Sequence, residues 1–248
     1  MKKNLIYVFT TLLLMCVCGN ANAQNSDVNF DDENSIIETN CEVLKLALQK
    51  LEKKYGGASE EMAQLYGYVG MIKCDNSFQY SDAYTFGITC CEKAIAIRKK
   101  LYGAKSINVG DSYVDMALAC GIFINKAKQY VDSALVILRP KCGENSYEVG
   151  RAYMVLGLSY YRSNEEIFRV ASQCMIITQR EYYEKRDYEE IISNLENSLK
   201  YYKKAYNIYS RLGENYKESA DTIKEAITHD QEEIELYKKE LKLASEQS

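Results

Sequence analysis

The sequence has little of what turn-rich and histidine-dependent proteins need. Its 248 residues include no tryptophan, one proline, one histidine and 13 glycines. So few proline and glycine residues argue against a turn-rich β-sandwich and predict an all-α fold of long helices. A single histidine excludes a metal site or an active site that uses several histidines. Glycine-rich nucleotide loops, zinc-protease motifs and nucleophile elbows are absent too. We therefore expect no enzymatic activity, no cofactor and no metal.

The first 23 residues have the composition of a secretory signal peptide. A basic head and an apolar stretch to Val17 precede the small-x-small pattern of Ala21 to Ala23. This apolar stretch is too short for a membrane-spanning helix, which needs about 20 residues. We expect cleavage after Ala23, export to the periplasm or the outside of the cell, and no membrane insertion afterwards. Lipid attachment at Cys16 or Cys18 and an uncleaved anchor are the two alternatives.

Without its signal peptide the chain is acidic. The net charge is −4 for the full sequence, and cleavage removes two lysines but no acidic residue. No basic run remains, so we expect neither nucleic acid nor an anionic membrane surface as a partner. Residues 24–34 are polar and acidic and predict a flexible leader. Residues 35–248 are then left for one helical domain.

The cysteines have neither the number nor the spacing that is typical of a zinc site or a complete set of disulfides. Seven of the nine cysteines follow the signal peptide: Cys41, Cys74, Cys90, Cys91, Cys120, Cys142 and Cys174. The number is odd and no CxxC pair occurs, which argues against a zinc site. Buried cysteine packs like a small apolar residue, so we expect most of them to be free and buried. Because export permits disulfides, at least one bridge is the alternative.

The single histidine and the paired carboxylates are weak candidates for catalysis. His229 stands beside Asp230 in an acidic segment, whereas a catalytic histidine needs a nucleophile and a pocket. Adjacent carboxylates such as those of Glu232 and Glu233 do not face one another on a helix. We interpret the segment from His229 to Glu240 as the solvated face of a terminal capping helix.

A repeat becomes visible when four glycines are aligned. An alanine precedes each glycine by eight or nine residues: Ala47 to Gly56, Ala94 to Gly103, Ala134 to Gly143 and Ala205 to Gly213. We predict that a helix ends at each glycine, where left-handed backbone is favourable. Three residues later comes a serine that can cap the next helix, at Ser59, Ser106 and Ser146.

The helices on either side of these turns repeat as well. A tyrosine follows the glycine by ten residues and a small residue by fourteen: Tyr66 and Gly70, Tyr113 and Ala117, Tyr153 and Gly157. The second helix repeats small, bulky and alanine positions: Gly87-Cys91-Ala94, Ala127-Val131-Ala134 and Ser198-Tyr202-Ala205. Such spacing predicts helix pairs whose small residues allow close approach. The tyrosines, the small residues and the alanines Ala94, Ala134 and Ala205 form the predicted repeat core.

This pattern resembles the tetratricopeptide repeat family, in the variant of about 40 residues found in kinesin light chains and bacterial scaffolds. The likeness is strongest around Tyr113 and Tyr153 and in the segment Glu92–Gly103. It implies a right-handed superhelical stack of antiparallel helix hairpins that binds other proteins and catalyses nothing.

The spacing from Gly143 to Gly213 departs from the family, because it is longer than one unit. We favour the interpretation that 165–185 is the second helix of the third unit, which leaves 188–212 and 216–243 as a fourth hairpin. The alternative treats 165–185 as an insertion. Pro140 is expected to end its helix early.

The resemblance also implies a concave groove lined by the first helix of each unit. The corresponding positions here are Gln64, Met71, Asp111, Val114, Leu118, Arg151, Met154, Leu158 and Tyr161. Its centre would be an apolar strip with a polar rim, as at partner-binding surfaces. If added helices cover the strip, it is core instead. We expect an unidentified protein or peptide as the partner. A cell-envelope ligand or glycan bound by outward-facing tyrosines is the alternative.

Overall fold

The computed structural model describes residues 33–75, 82–178 and 185–246, which are helical and contain no strand. Within them, the side chains of 33–40, 72–75, 166, 169–178 and 185 are not described. Residues 1–32, with the predicted signal peptide and most of the leader, lie outside these ranges. The all-α prediction is confirmed for the described part of the chain. None of the helices there is long and apolar enough to cross a membrane.

Eight α-helices follow one another in the described ranges. They are α1 (Glu33–Tyr55), α2 (Glu60–Asp75), α3 (Asp82–Tyr102), α4 (Ile107–Ala119), α5 (Ile124–Cys142), α6 (Tyr147–Thr178), α7 (Lys185–Tyr209) and α8 (Lys217–Glu246). A short 3₁₀ turn, Glu214–Tyr216, precedes α8. Pro140 does not end α5 early, because the helix continues to Cys142.

The same turn follows α1, α3, α5 and α7. Its glycine has a positive φ of 79° to 92° each time, at Gly56, Gly103, Gly143 and Gly213. Helix ends at these glycines are thus confirmed. In the first three turns the serine Oγ accepts a hydrogen bond of 3.3 Å from the backbone N–H three residues later. In the fourth turn, where tyrosine replaces serine, the Tyr216 N–H still donates to the Gly213 carbonyl at 3.0 Å.

The chain divides into two compact units within α3, between Ile97 and Arg98. In the first unit, apolar side chains of α1, α2 and the part of α3 up to Ile97 form one core. Tyr66 and Ala94 belong to it and are 2% and 1% exposed. Burial of each large side chain in such a core contributes roughly 1.5–3 kcal/mol.

In the second unit, each helix from α4 to α8 packs against the next, and α4 also packs against α6. The core between them contains four of the predicted repeat residues, each less than 5% exposed: Ala117, Ala134, Tyr153 and Ala205. Gly157 is buried as well. Tyr113 is the exception, since it is half-buried and packs at the edge of this core.

The spacing from Gly143 to Gly213 is long because α6 is extended, and not because 165–185 forms a second helix as we favoured. Residues 165–178 continue α6, so they do not turn back as a second helix, and that interpretation is wrong. The partner of α6 is α7, which carries the Ser198-Tyr202-Ala205 motif. The extra residues therefore extend the hairpin, and α6 alone has 32 residues against 13 in α4.

Small residues of the first helix face bulky residues of the second in each described hairpin. A Cβ added to Gly157 would lie 2.8 Å from Cδ1 of Tyr202, and one added to Gly70 would meet Cys91 Sγ. The contact recurs seven residues earlier, where Gly110 faces Leu138 and Gly150 faces Tyr209. This second contact was not predicted from the sequence, although the glycines Gly110 and Gly150 stand at equivalent positions.

None of the five cysteines with described side chains forms a disulfide: Cys41, Cys90, Cys91 and Cys120 are buried, and Cys142 is half-buried. The prediction of free, buried cysteines is confirmed for those four. Cys74 and Cys174 lie outside the residues whose side chains are described.

Candidate functional site

The predicted groove positions of the second unit lie on α4 and α6, two helices that pack against each other. A charged cluster joins them. The Arg151 guanidinium of α6 donates to the carboxylate of Asp115 on α4, and the two side chains are 20% and 14% exposed. Asp111, one turn earlier on α4, lies close enough to interact electrostatically with Arg151. Two of these three residues, Asp111 and Arg151, were predicted from the sequence.

The electrostatics of this cluster favour one cation between two acids. Burial raises the pKa of the Asp111 carboxyl, and the positive charge of Arg151 opposes that shift. Burial also disfavours the charged form of Arg151, but Asp115 more than compensates, so the pKa of Arg151 is raised. The guanidinium is therefore committed to the two carboxylates. An anionic group of a partner must therefore compete with the two carboxylates for Arg151, whereas a cationic group can pair with Asp111.

The apolar positions beside the cluster divide into surface and core. Leu118, Met154 and Leu158 are half-buried and lean on the core of the second unit. Val114 is different, because it is fully buried within that core and offers no surface to a partner. The predicted strip is corrected at Val114 and reduces to three side chains with part of their surface open.

Tyr161 lies near the start of the extended part of α6. Its ring contacts the imidazole of His229 on α8, with centroids 5.7 Å apart. It also packs on a small cluster formed by Ile191, Leu195 and Ile234. Tyr161 is therefore half-buried against α7 and α8, so only part of its ring is open.

The two remaining groove positions belong to the first unit. Gln64 is exposed on α2, where its amide donates to Glu60 at 3.1 Å. Met71 is half-buried on the same helix.

Two site features escaped the sequence analysis. Asp115 follows Asp111 by four residues and so shares its helix face, which was a usable signal. Asp230 gave no signal, since it stands among many acidic residues. His229 is exposed as predicted, but Asp230 is 1% exposed, which corrects the interpretation of this segment as a solvated face. Within the described part of the chain, Asp230 Oδ2 has no hydrogen-bond partner of normal length, and the Ser198 hydroxyl is the polar group beside it.

Comparisons with known proteins do not identify the chain. No protein-family model matches it, and no curated protein matches it significantly. Among the described residues, no group of three or more His, Cys, Asp or Glu side chains is arranged to hold a metal ion.

Replacing Arg151 by alanine should destabilise the second unit by about 2 kcal/mol, because Asp115 and Asp111 would remain desolvated without their cation. Urea unfolding at neutral pH measures this loss. Arg211→Ala, which removes an exposed arginine, is the control and should change stability by less than about 0.5 kcal/mol. Equal losses in the two variants would contradict a structural role for the ion pair.

Proposed function

We propose that this chain is an exported, non-enzymatic helical-repeat scaffold whose modules stack as in tetratricopeptide repeat proteins. The scaffold holds a segment of a protein or peptide on the face of α4 and α6. The face is defined by Asp111, Asp115, Leu118, Arg151, Met154 and Leu158.

The stacking part of this proposal is supported by contacts that repeat with the sequence. Successive hairpins use the same glycine turn, and their small and bulky residues meet at corresponding positions. Helix α4 also contacts α6, the helix two places along the chain, as it must when hairpins stack side by side. Repeat proteins of this kind are stabilised by contacts between neighbours and leave extended faces open for binding.

The binding part rests on one observation: half-open apolar side chains lie next to a charged cluster on adjacent first helices. Leu118, Met154 and Leu158 can bury the apolar side chains of a partner. Asp111 and Arg151 stand at the polar edge and can orient a charged or hydrogen-bonding group of the same partner. Such a combination suits an extended or helical peptide better than a small, enclosed ligand.

A site-specific crosslink tests the proposal. A diazirine analogue of leucine at position 158 or 118 nearly preserves the side-chain shape and reacts with whatever lies within contact distance. Irradiation of the producing cells should join the chain to the same partner from both positions. The control position is Val136 on α5, which is 76% exposed and lies outside the proposed face.

Two comparisons decide the result: one between the crosslinking positions, and one between the native chain and a charge variant. Met154→Glu, which puts a charge into the apolar part of the face and leaves the Arg151 ion pair in place, should reduce the yield at Leu158 several-fold while circular dichroism remains helical. If Val136 yields the same partner as efficiently, or if neither leucine position yields a crosslink, the α4 and α6 face does not bind a protein.

A further inference from the structure

A second surface, on another stripe of α6, carries stacked tyrosines between α5 and α7. The ring of Tyr201 on α7 lies 5.7 Å from that of Tyr160 at an interplanar angle of 10°. The same ring lies 6.2 Å from Tyr153 at 22°. Both α5 and α7 pack against α6, so the three rings lie on the α6–α7 pair with α5 beside them.

Cationic side chains lie over these rings. Lys204 Nζ is 5.0 Å from the centroid of Tyr153 and 5.4 Å from that of Tyr201. Lys200 Nζ is 5.4 Å from Tyr201, and the Arg139 guanidinium of α5 is 5.6 Å from Tyr153. Lys128 of α5 is also close enough to Tyr160 and Tyr201 to interact with them electrostatically. We call Tyr153, Tyr160, Tyr201, Lys128, Arg139, Lys200 and Lys204 the cation–tyrosine ladder. Contacts of this kind hold a cation in place without neutralising its charge.

The ladder keeps unpaired positive charge on an acidic protein. Lys128 is neutralised by Asp132 at 2.6 Å, and Arg139 by Glu144 at 2.9 Å. Lys200 and Lys204 are both exposed, and neither forms an ion pair with a described residue. The full chain has a net charge of −4. Two neighbouring cations without an ion pair therefore make this part of the surface positive, although the protein as a whole is acidic.

A cation over the repeat tyrosine occurs in the other hairpins as well, so this part of the ladder has a structural role that the hairpins share. Lys99 lies 5.3 Å from the ring of Tyr113, and Lys93 lies 4.8 Å from that of Tyr66. One cation on the repeat tyrosine is therefore a general feature of the modules. The additional ring of Tyr160 and the additional cation Lys200 occur together on the third module. Holding the repeat tyrosine in place requires neither this second ring nor this second cation.

We propose that the cation–tyrosine ladder binds an acidic peptide segment of a protein partner. Two of its cations, Lys128 and Arg139, already donate to carboxylates within the chain, those of Asp132 and Glu144. A sugar ring would need an open aromatic face, whereas the Tyr201 ring has Tyr160 and two lysines around it. An acidic peptide instead places its carboxylates beside Lys200 and Lys204. This inference does not depend on the α4 and α6 face.

Fluorescence anisotropy of a labelled ten-residue glutamate peptide, titrated with the full chain, tests the proposal. We expect saturable binding that weakens as salt is raised, since the attraction between exposed charges is screened. Lys200→Glu combined with Lys204→Glu should weaken binding about tenfold or more. The control is Lys239→Glu with Lys242→Glu, which makes the same charge change at exposed positions of α8 and should weaken binding less than about twofold.

Three outcomes overturn the proposal. The first is no binding of the glutamate peptide at low salt. The second is an equal loss in the ladder variant and the α8 control, which would mean that only net charge matters. The third is tighter, equally variant-sensitive binding of polygalacturonate or polyphosphate, which would assign the ladder to another class of polyanion. Circular dichroism of each variant verifies that the helices are retained, because all four lysines are exposed.

Discussion

Replacing Gly70 by leucine will lower the free energy of unfolding of the first unit by at least about 3 kcal/mol. A Cβ at this position would meet Cys91 Sγ and would lie 2.8 Å from the backbone carbonyl oxygen of Gly87. A flexible side chain can move aside, but the Gly87 carbonyl belongs to helix α3, which would have to shift as a whole. Overpacking of this kind costs about 1–3 kcal/mol when side chains alone must move, and more when backbone must.

The matched control for Gly70 is Gly57→Leu. A Cβ on Gly57 meets no atom within 4 Å, so the same added side chain should change stability by less than about 1 kcal/mol. Urea unfolding followed by circular dichroism measures both variants. If Gly70→Leu is as stable as Gly57→Leu, α2 and α3 do not pack at this glycine, and the small-residue rule is wrong for the first unit.

Asp230→Asn will stabilise the protein by about 3 kcal/mol at neutral pH. Burial raises the pKa of this carboxyl from 3.8 to about 6, and the neighbouring Ser198 hydroxyl and His229 oppose the shift. The other groups that face it are Glu233 on α8, Tyr161 on α6 and Tyr202 on α7. A shift of about two units corresponds to about 3 kcal/mol of preference for the neutral form.

The sign of the pH dependence follows from proton binding. Between about pH 4 and 6 the folded chain keeps the Asp230 proton, whereas the unfolded chain has released it. The free energy of unfolding therefore falls as the pH rises through this window, and the loss is complete above about pH 6. Asparagine has the same shape without the charge, so its advantage should vanish near pH 4.

Asp221→Asn on the same helix is the control, because Asp221 is exposed. Its stability relative to the native chain should not change by more than about 0.5 kcal/mol at either pH. Thermal or urea unfolding at about pH 4 and about pH 7.5 measures all three proteins. A native chain whose stability does not depend on Asp230 at either pH would show that this carboxyl is hydrated in solution.

Local chemistry explains why the turns and the hairpin contacts could be predicted. A glycine at a helix end and a serine three residues later have few conformational alternatives, so Gly103 and Ser106 specify a turn by themselves. A small residue opposite a bulky one is likewise dictated by the distance between packed helices. These features depend on neighbours in sequence or on a single contact.

Features that depend on the whole hairpin could not be predicted in this way. The helical period of 165–178 is the same whether α6 continues or a new helix begins. The absence of glycine and proline between Gly157 and Lys185 was the signal for a continuous helix. Burial of Asp230 had no sequence signal, because acidic residues surround it and only the packing of α6, α7 and α8 sets it apart.

The glycine contacts between α6 and α7 are seven residues apart, and this spacing bears on how long the hairpin of these two helices can be. Gly150 meets Tyr209 and Gly157 meets Tyr202. Seven residues further along α6, Asn164 accepts a hydrogen bond of 2.8 Å from Asn194, which stands eight residues before Tyr202 on α7. The pairing of α6 with α7 thus continues to Asn164, directly before the added residues, as in an antiparallel coiled coil. The Gly143 and Gly213 turns lie at the other ends of the two helices, so a change of length at the C-terminal end of α6 and the N-terminal end of α7 would leave both turns as they are.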